Sequence, residues 1–208
     1  MQLGFALVET GTVRSKNTIN VAMKNLIDMI FGIIFFWMIG FGLMFGQDYN
    51  GLLGMDHFFI NGQDTTANGF FFFQVMFAAT AITIVSGAVA ERMKFNGYII
   101  VAIVVISFIY PVFGHWAWAE EGWLKERGFI DFAGSTGVHS VGAWIGLAGA
   151  IILGPRMGKF RNKKINYFPP SNHNFIVFGV FILWFAWFGF NAGSLLAFDD
   201  SVTTILIN

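Results

Sequence analysis

The chain of 208 residues has no cysteine. That excludes disulfides and thiolate metal sites, and leaves the compartment open. Charge is also scarce. Asp, Glu, Lys and Arg make up 12% of the residues, about half the share found in a soluble domain. The formal net charge is zero, so nothing points to nucleic acid as a partner. No His-Glu-x-x-His or other metal-ligand spacing occurs, no Gly-rich phosphate loop follows a strand, and no serine nucleophile has a recognisable partner. An ATP-driven or hydrolytic enzyme therefore finds no support, and no cofactor or metal is called for. The first residues, Met1-Gln2-Leu3-Gly4-Phe5-Ala6-Leu7-Val8-Glu9, lack the basic start and cleavage site of a signal peptide.

Apolar residues fill the place of the missing charge. The chain is 56% hydrophobic and 18% aromatic, with a mean hydropathy of +0.65. A membrane-spanning helix needs about 20 mostly apolar residues. Five stretches qualify: 18–45, 68–90, 98–118, 132–153 and 174–196. The third of these contains Pro111, which predicts a break. Residues 1–9 read as the tail of a further span and residues 201–208 as the start of another. The fold class is therefore all-α, a polytopic transmembrane helical bundle, with the whole chain, 1–208, a partial domain.

The loops alternate in charge. Residues 10–24 hold Arg14, Lys16 and Lys24. The next loop has Asp48, Asp56 and Asp64 without a basic residue. Residues 91–95 have Arg92 and Lys94. Residues 119–131 are net acidic through Glu120, Glu121, Glu126 and Asp131. Residues 154–170 carry Arg156, Lys159, Arg161, Lys163 and Lys164, and the last loop has Asp199 and Asp200. The positive-inside rule predicts that 10–24, 91–95 and 154–170 are cytoplasmic, and that the chain starts from the outer side.

Ionisable groups within a bilayer are functional candidates. His139 stands out. It follows Asp131 by eight residues, so on a helix it lies about 12 Å below Asp131. Imidazole both donates and accepts, which suits a pore passing a small polar molecule or a proton. The plain alternative is a histidine bonded to a neighbouring helix. Asp131 reads as the N-cap of the same helix, and Gly142 and Gly146 as a close-packing pair. Glu9 and Asp28 are expected to bind backbone or basic neighbours. His57, His115 and His173 are expected to be ordinary. Trp116, Trp118 and Trp123 suit an interfacial belt, although one such ring could offer its face to a cation, worth about 2 kcal/mol when desolvated. Phe77 and Phe190 could form apolar stoppers.

Several motifs occur together in order. Gly4-Phe5-Ala6-Leu7-Val8-Glu9 precedes Val13-Arg14-Ser15-Lys16-Asn17. Gly87-Ala88-Val89-Ala90-Glu91-Arg92 comes next, then Asp131-Phe132-Ala133-Gly134-Ser135-Thr136-Gly137-Val138-His139. Last is Trp187-Phe188-Gly189-Phe190-Asn191-Ala192-Gly193-Ser194. This series resembles the ammonium transporter (Amt/Mep/Rh) family. The resemblance implies an eleven-helix fold of two inverted halves, of which this chain is the first inverted repeat plus the following helix. It implies a pore in each subunit, a homotrimer, and ammonium or ammonia and the lipid bilayer as partners, with a cytoplasmic regulatory protein as a further candidate.

By resemblance Trp118, Phe77 and Ser194 form an outer recruitment site for ammonium. Phe77 and Phe190 are the gate, His139 the first of two pore histidines, and Asp131 a structural and electrostatic group. Two departures stand out. No histidine follows His173, where the family's second pore histidine would belong. The segment Trp118-Ala119-Glu120-Glu121-Gly122-Trp123 replaces a glycine run. The function so implied is ammonium/ammonia transport, and its rival is an ammonium sensor coupled to a cytoplasmic signalling module. A membrane enzyme built on His139 would need a second ionisable group at matching depth.

Overall fold

The computed structural model describes residues 1–60, 65–161 and 163–208. Asp64, counted above with the second loop, lies outside them. Helix α1 is Gln2–Thr12. Helix α2 starts as Thr18–Phe35 and passes through a π-helical turn, Phe36–Gly40, into Phe41–Phe45. Helix α3 is Thr65–Val89. Helix α4 combines Phe95–Val104, a π-helical turn at Val105–Ile109, and Tyr110–Trp118. The short α5 is Trp123–Glu126. Helix α6 opens with a π-helical turn, Ser135–Ser140, and continues as Val141–Leu153. Helix α7 is His173–Gly193 and α8 is Ser201–Ile207. Two small antiparallel hairpins decorate the loops: β1 (Asp48–Tyr49) with β2 (Leu53–Gly54), and β3 (Phe160–Arg161) with β4 (Lys164–Ile165).

Among the described residues, five helices are long and apolar enough to cross a membrane. The molecule is thus a multi-pass helical membrane protein. Such a chain satisfies its backbone polar groups within its own helices, as lipid offers them no partners.

Helix α3 is the hub and is two-thirds buried. Its small residues let neighbours approach. A Cβ on Gly142 would stand 2.7 Å from the Ala81 carbonyl, and one on Gly146 2.7 Å from the Ala88 methyl. The small pair therefore seats α6 on α3. Helix α7 packs against α1, with Gly4 and Gly179 backbone to backbone. Asn172 caps α7, accepting from the amides of Asn174 and Phe175. The other face of α7 exposes Phe178, Phe181, Trp184 and Phe185, rings compatible with lipid.

Three expectations need correction. Pro111 does not break its helix. The π-helical turn just before it absorbs the missing N–H, and the helix runs on to Trp118. Lys24, counted with the first basic loop and also within the span 18–45, is not solvated. It sits inside α2 and is fully buried, as its side chain turns toward Glu9, Asp28 and the Tyr98 ring. Glu9 and Asp28 face the basic neighbour Lys24, as expected, but their hydrogen bonds come from uncharged side chains and not from backbone. Glu9 accepts from Asn25 and Ser86, and Asp28 from the Tyr98 hydroxyl.

Acidic loops meet where Asp48, Asp56, Glu120 and Glu121 line one cavity, and basic connections meet around Glu91. At the basic end Glu91 joins three connections. Its fully buried carboxylate accepts from Arg14 at 2.8 Å, Asn17 at 2.6 Å and Arg156 at 2.6 Å. Arg14 and Arg156 both lie over the Phe168 ring. Burial pushes the Glu91 carboxyl up, but these hydrogen bonds outweigh it and hold it down at about 2.

Candidate functional site

The site is built at the acidic end, from α3, α4, α6 and α7. Asp131 organises it. Its Oδ1 accepts from the amides of Gly134 and Ser135, and its Oδ2 from those of Thr136 and Gly137. Four orphan donors at the start of α6 are thereby satisfied by one carboxylate. Gly134 supports this wrap with a φ of 86°, where a side chain would be strained. The helix consequently begins at Ser135 and not at Phe132. His139 is about one turn below the helix start, shallower than counting from Asp131 suggests.

Asp131 also fixes the tryptophan. Its backbone carbonyl accepts from Trp118 Nε1 at 2.7 Å. The Trp118 ring meets Phe77 edge to face, 6.3 Å between centroids. Phe77 in turn stacks on Phe190, at 4.0 Å and 18°. Phe190 meets His139 at 5.7 Å, nearly perpendicular, and Trp187 flanks the imidazole at 5.6 Å. Trp118, Phe77, Phe190 and His139 thus form one contiguous column.

Cavities lie along this column. A vestibule of about 550 Å³ includes Asp48, Asp56, Glu120, Glu121 and Lys125, and reaches Trp118. A smaller cavity of about 170 Å³ is shared by Trp118, Phe77, Gln74, Phe132 and Ser194. A third cavity, of about 400 Å³, is lined by both Phe77 and Phe190 and also touches Gln2 and Thr80. Phe77 thus lines both the small cavity and this one.

Ser194 donates its hydroxyl proton to the Phe190 carbonyl at 2.8 Å. Its oxygen lone pairs are then left to accept from an N–H cation in the small cavity. Two aromatic rings and one acceptor oxygen suit a small, partly desolvated cation.

His139 is half-buried. Nδ1 lies 3.1 Å from the Gly134 carbonyl oxygen, an atom that can only accept. Nε2 is buried and has no hydrogen-bond partner among the described residues. An imidazole in that state presents one free nitrogen to whatever passes it.

All six expected site residues therefore occur together. Asp131 is the exception in kind, as its oxygens are occupied by backbone amides and it braces Trp118 from behind.

Sequence reasoning missed several contributors. Gln74 faces the small cavity, and Trp187 faces His139. His115, expected to be ordinary, braces the rim. It is fully buried, with Nδ1 3.0 Å from the Met44 carbonyl and Nε2 2.8 Å from Asp48. That contact, with the Gly51 amide, holds the Asp48 carboxyl below its usual range. His115 thus pins the acidic hairpin to the rim of the vestibule. Only its sequence neighbours in α4 hinted at this. Among the described residues no cluster of His, Asp and Glu could hold a metal ion.

Comparison with known proteins gives a consistent answer. The model of the Ammonium Transporter Family matches residues 1–208. A putative ammonium transporter of Synechocystis is 47% identical, over 100% of this chain and 41% of its own length. The ammonium transporter Amt2 of Archaeoglobus fulgidus is 45% identical, over 99% of this chain and 47% of its own length. The chain thus spans less than half the length of these relatives.

Among solved structures, one titled Sensor Amt Protein superposes with a TM-score of 0.94. It is 46% identical, and the match covers 99% of this chain and 54% of that one. Saccharomyces cerevisiae Mep2 superposes at 0.82 with 26% identity, covering 93% and 45%. On this ground, and with the fold just described, the chain belongs to the ammonium transporter family.

Proposed function

We propose that this chain forms the entry, gate and first pore histidine of a path for ammonium and ammonia across the membrane. The observation that carries the reading is the unbroken column Trp118–Phe77–Phe190–His139 with a polar-lipped cavity on its entry side. The acidic end faces outward and the basic loops lie in the cytoplasm.

Ammonium enters the acidic vestibule and is concentrated by its carboxylates. It loses water against the faces of Trp118 and Phe77. Cation–π attraction, about 2 kcal/mol for a desolvated ion, offsets part of that cost. Ser194 accepts one N–H, a contact that a bare sodium ion cannot supply. The stacked gate excludes bulk water, since neither ring can replace a hydration shell. Ammonia then passes the free Nε2 of His139 once the ion has lost a proton, and the proton travels separately. The subunits assemble as a homotrimer in the bilayer.

Saturable ammonium flux into liposomes carrying the reconstituted full-length protein tests the proposal. Flux of ammonium, with sodium excluded, is the expected result. Protein that is folded but passes no ammonium contradicts it.

A second reading is ammonium sensing, favoured by the close superposition on the structure titled Sensor Amt Protein. The same pocket would then bind ammonium and signal to a cytoplasmic module. Saturable binding without sustained flux is the outcome that selects it.

A further inference from the structure

A second polar centre lies toward the basic end of the bundle, away from the aromatic column. Helix α1 supplies Glu9, and α2 supplies Lys24, Asn25 and Asp28. Helix α3 supplies Thr83 and Ser86, and α4 supplies Tyr98. Lys24 and Asp28 are fully buried, Asn25 is 3% exposed and Glu9 8%. The Glu9 Oε2 accepts from Asn25 at 3.0 Å and Ser86 at 2.9 Å. Tyr98 donates to Asp28 Oδ1. Lys24 Nζ sits 4.9 Å from the centre of the Tyr98 ring.

Three atoms are left over. Lys24 Nζ, Asn25 Oδ1 and Asp28 Oδ2 are buried and have no hydrogen-bond partner among the described residues. A buried ammonium without an acceptor is costly. Two acceptors and one donor of this kind in one place are the setting in which proteins hold internal water.

The charge count is also unbalanced. Two carboxylates face one lysine, and the remaining ionisable group in contact is the Tyr98 phenol. With both carboxylates and the lysine ionised, one negative charge has no counter-ion within the cluster. Taking up one proton makes it neutral.

The centre is joined to the transport column. Thr83 donates to the Gln2 amide oxygen at 2.8 Å and is also in reach of Asp28. Gln2 lines the cavity that Phe77 and Phe190 also line.

We propose that Glu9, Lys24, Asp28 and Tyr98 form a hydrated proton relay on the inner side of the gate. The proposal rests on the transport reading above. In the step concerned, an N–H bond of ammonium breaks and ammonia leaves neutral. The proton moves through water to a carboxylate of the cluster, where an O–H bond forms. Asp28 Oδ2 is the atom best placed, since Oδ1 is held by Tyr98. The carboxylic acid then gives its proton to water on the cytoplasmic side, through Glu9, and the cluster regains its charge. Lys24 limits the cluster to a single surplus charge and so to a single proton.

Full-length protein in liposomes on a solid support reports ammonium-driven charge movement. Glu9→Gln and Asp28→Asn should each lower the peak current at least tenfold while the half-saturating ammonium concentration stays unchanged. A merely structural role would not separate the two quantities. Folded variants with wild-type currents overturn the relay. A wild-type protein with neither current nor flux indicts the transport reading instead.

If the variants fail to fold, infrared difference spectroscopy of the wild type decides. Ammonium should then raise a carboxylic C=O band that shifts in heavy water. A spectrum without that band overturns the relay.

Discussion

Phe77 and Phe190 lie face to face, 4.0 Å between ring centroids with planes 18° apart, and both are almost fully buried. They come from α3 and α7, so the gate is also a joint between helices. Phe190→Ala removes the ring that touches Phe77, Trp187 and His139. Truncating a buried Phe costs about 3–5 kcal/mol. The melting temperature in detergent should fall, and sodium should leak through the reconstituted protein. An unchanged ammonium-over-sodium selectivity would remove the gate role.

Trp118 offers a cation the strongest face in the small cavity. Trp118→Leu keeps bulk and removes the π face. A loss of about 2 kcal/mol corresponds to roughly thirtyfold in apparent ammonium affinity. Half-saturation of ammonium-driven current measures it. Trp118→Tyr should recover part of the loss.

Asp131 acts on the pocket through the backbone. Asp131→Ala strands four amides, each worth about 1–3 kcal/mol when left unsatisfied. The loss of stability should be about 3 kcal/mol or more, read by thermal unfolding. Asp131→Asn cannot accept four N–H bonds in the same way, and should also destabilise. A variant as stable as wild type, with weakened ammonium binding only, would assign Asp131 to direct contact with the ion.

Glu91 predicts an acid limb in stability. Its folded value, about 2, is below its ordinary 4.5. A depressed carboxylate contributes stability above pH 4.5 that is lost as pH falls toward 2. Glu91→Gln should lower the melting temperature at neutral pH and narrow the gap to wild type as pH falls through that window. Parallel curves across the window would remove the ion-pair account.

Much of the polytopic helical fold was legible because hydropathy is a local property. A run such as 174–196 declares itself without reference to any neighbour. The three π-helical turns were not legible, since hydropathy does not report hydrogen-bond register. That at Val105–Ile109 accommodates Pro111, and that at Ser135–Ser140 follows from the carboxylate wrap at Asp131. The burial of Lys24 was hidden because Glu9 and Tyr98 reach it from two other helices. Asp131 and His139 share one short motif, which made them visible. The meeting of Phe77 with Phe190 depends on how α3 and α7 pack, and composition carries no trace of it. Asp48 and His115 looked like ordinary loop and helix-end residues until the hairpin brought them together.

The central claim is that an imidazole with a free nitrogen stands behind the aromatic gate and passes the uncharged molecule. His139→Asp in the reconstituted full-length protein, assayed for ammonium and potassium flux side by side, tests it most directly. The account predicts altered conduction with ammonium-over-potassium selectivity lost, as a carboxylate holds the ion instead of the neutral species. Wild-type conduction with wild-type selectivity in that variant would contradict it.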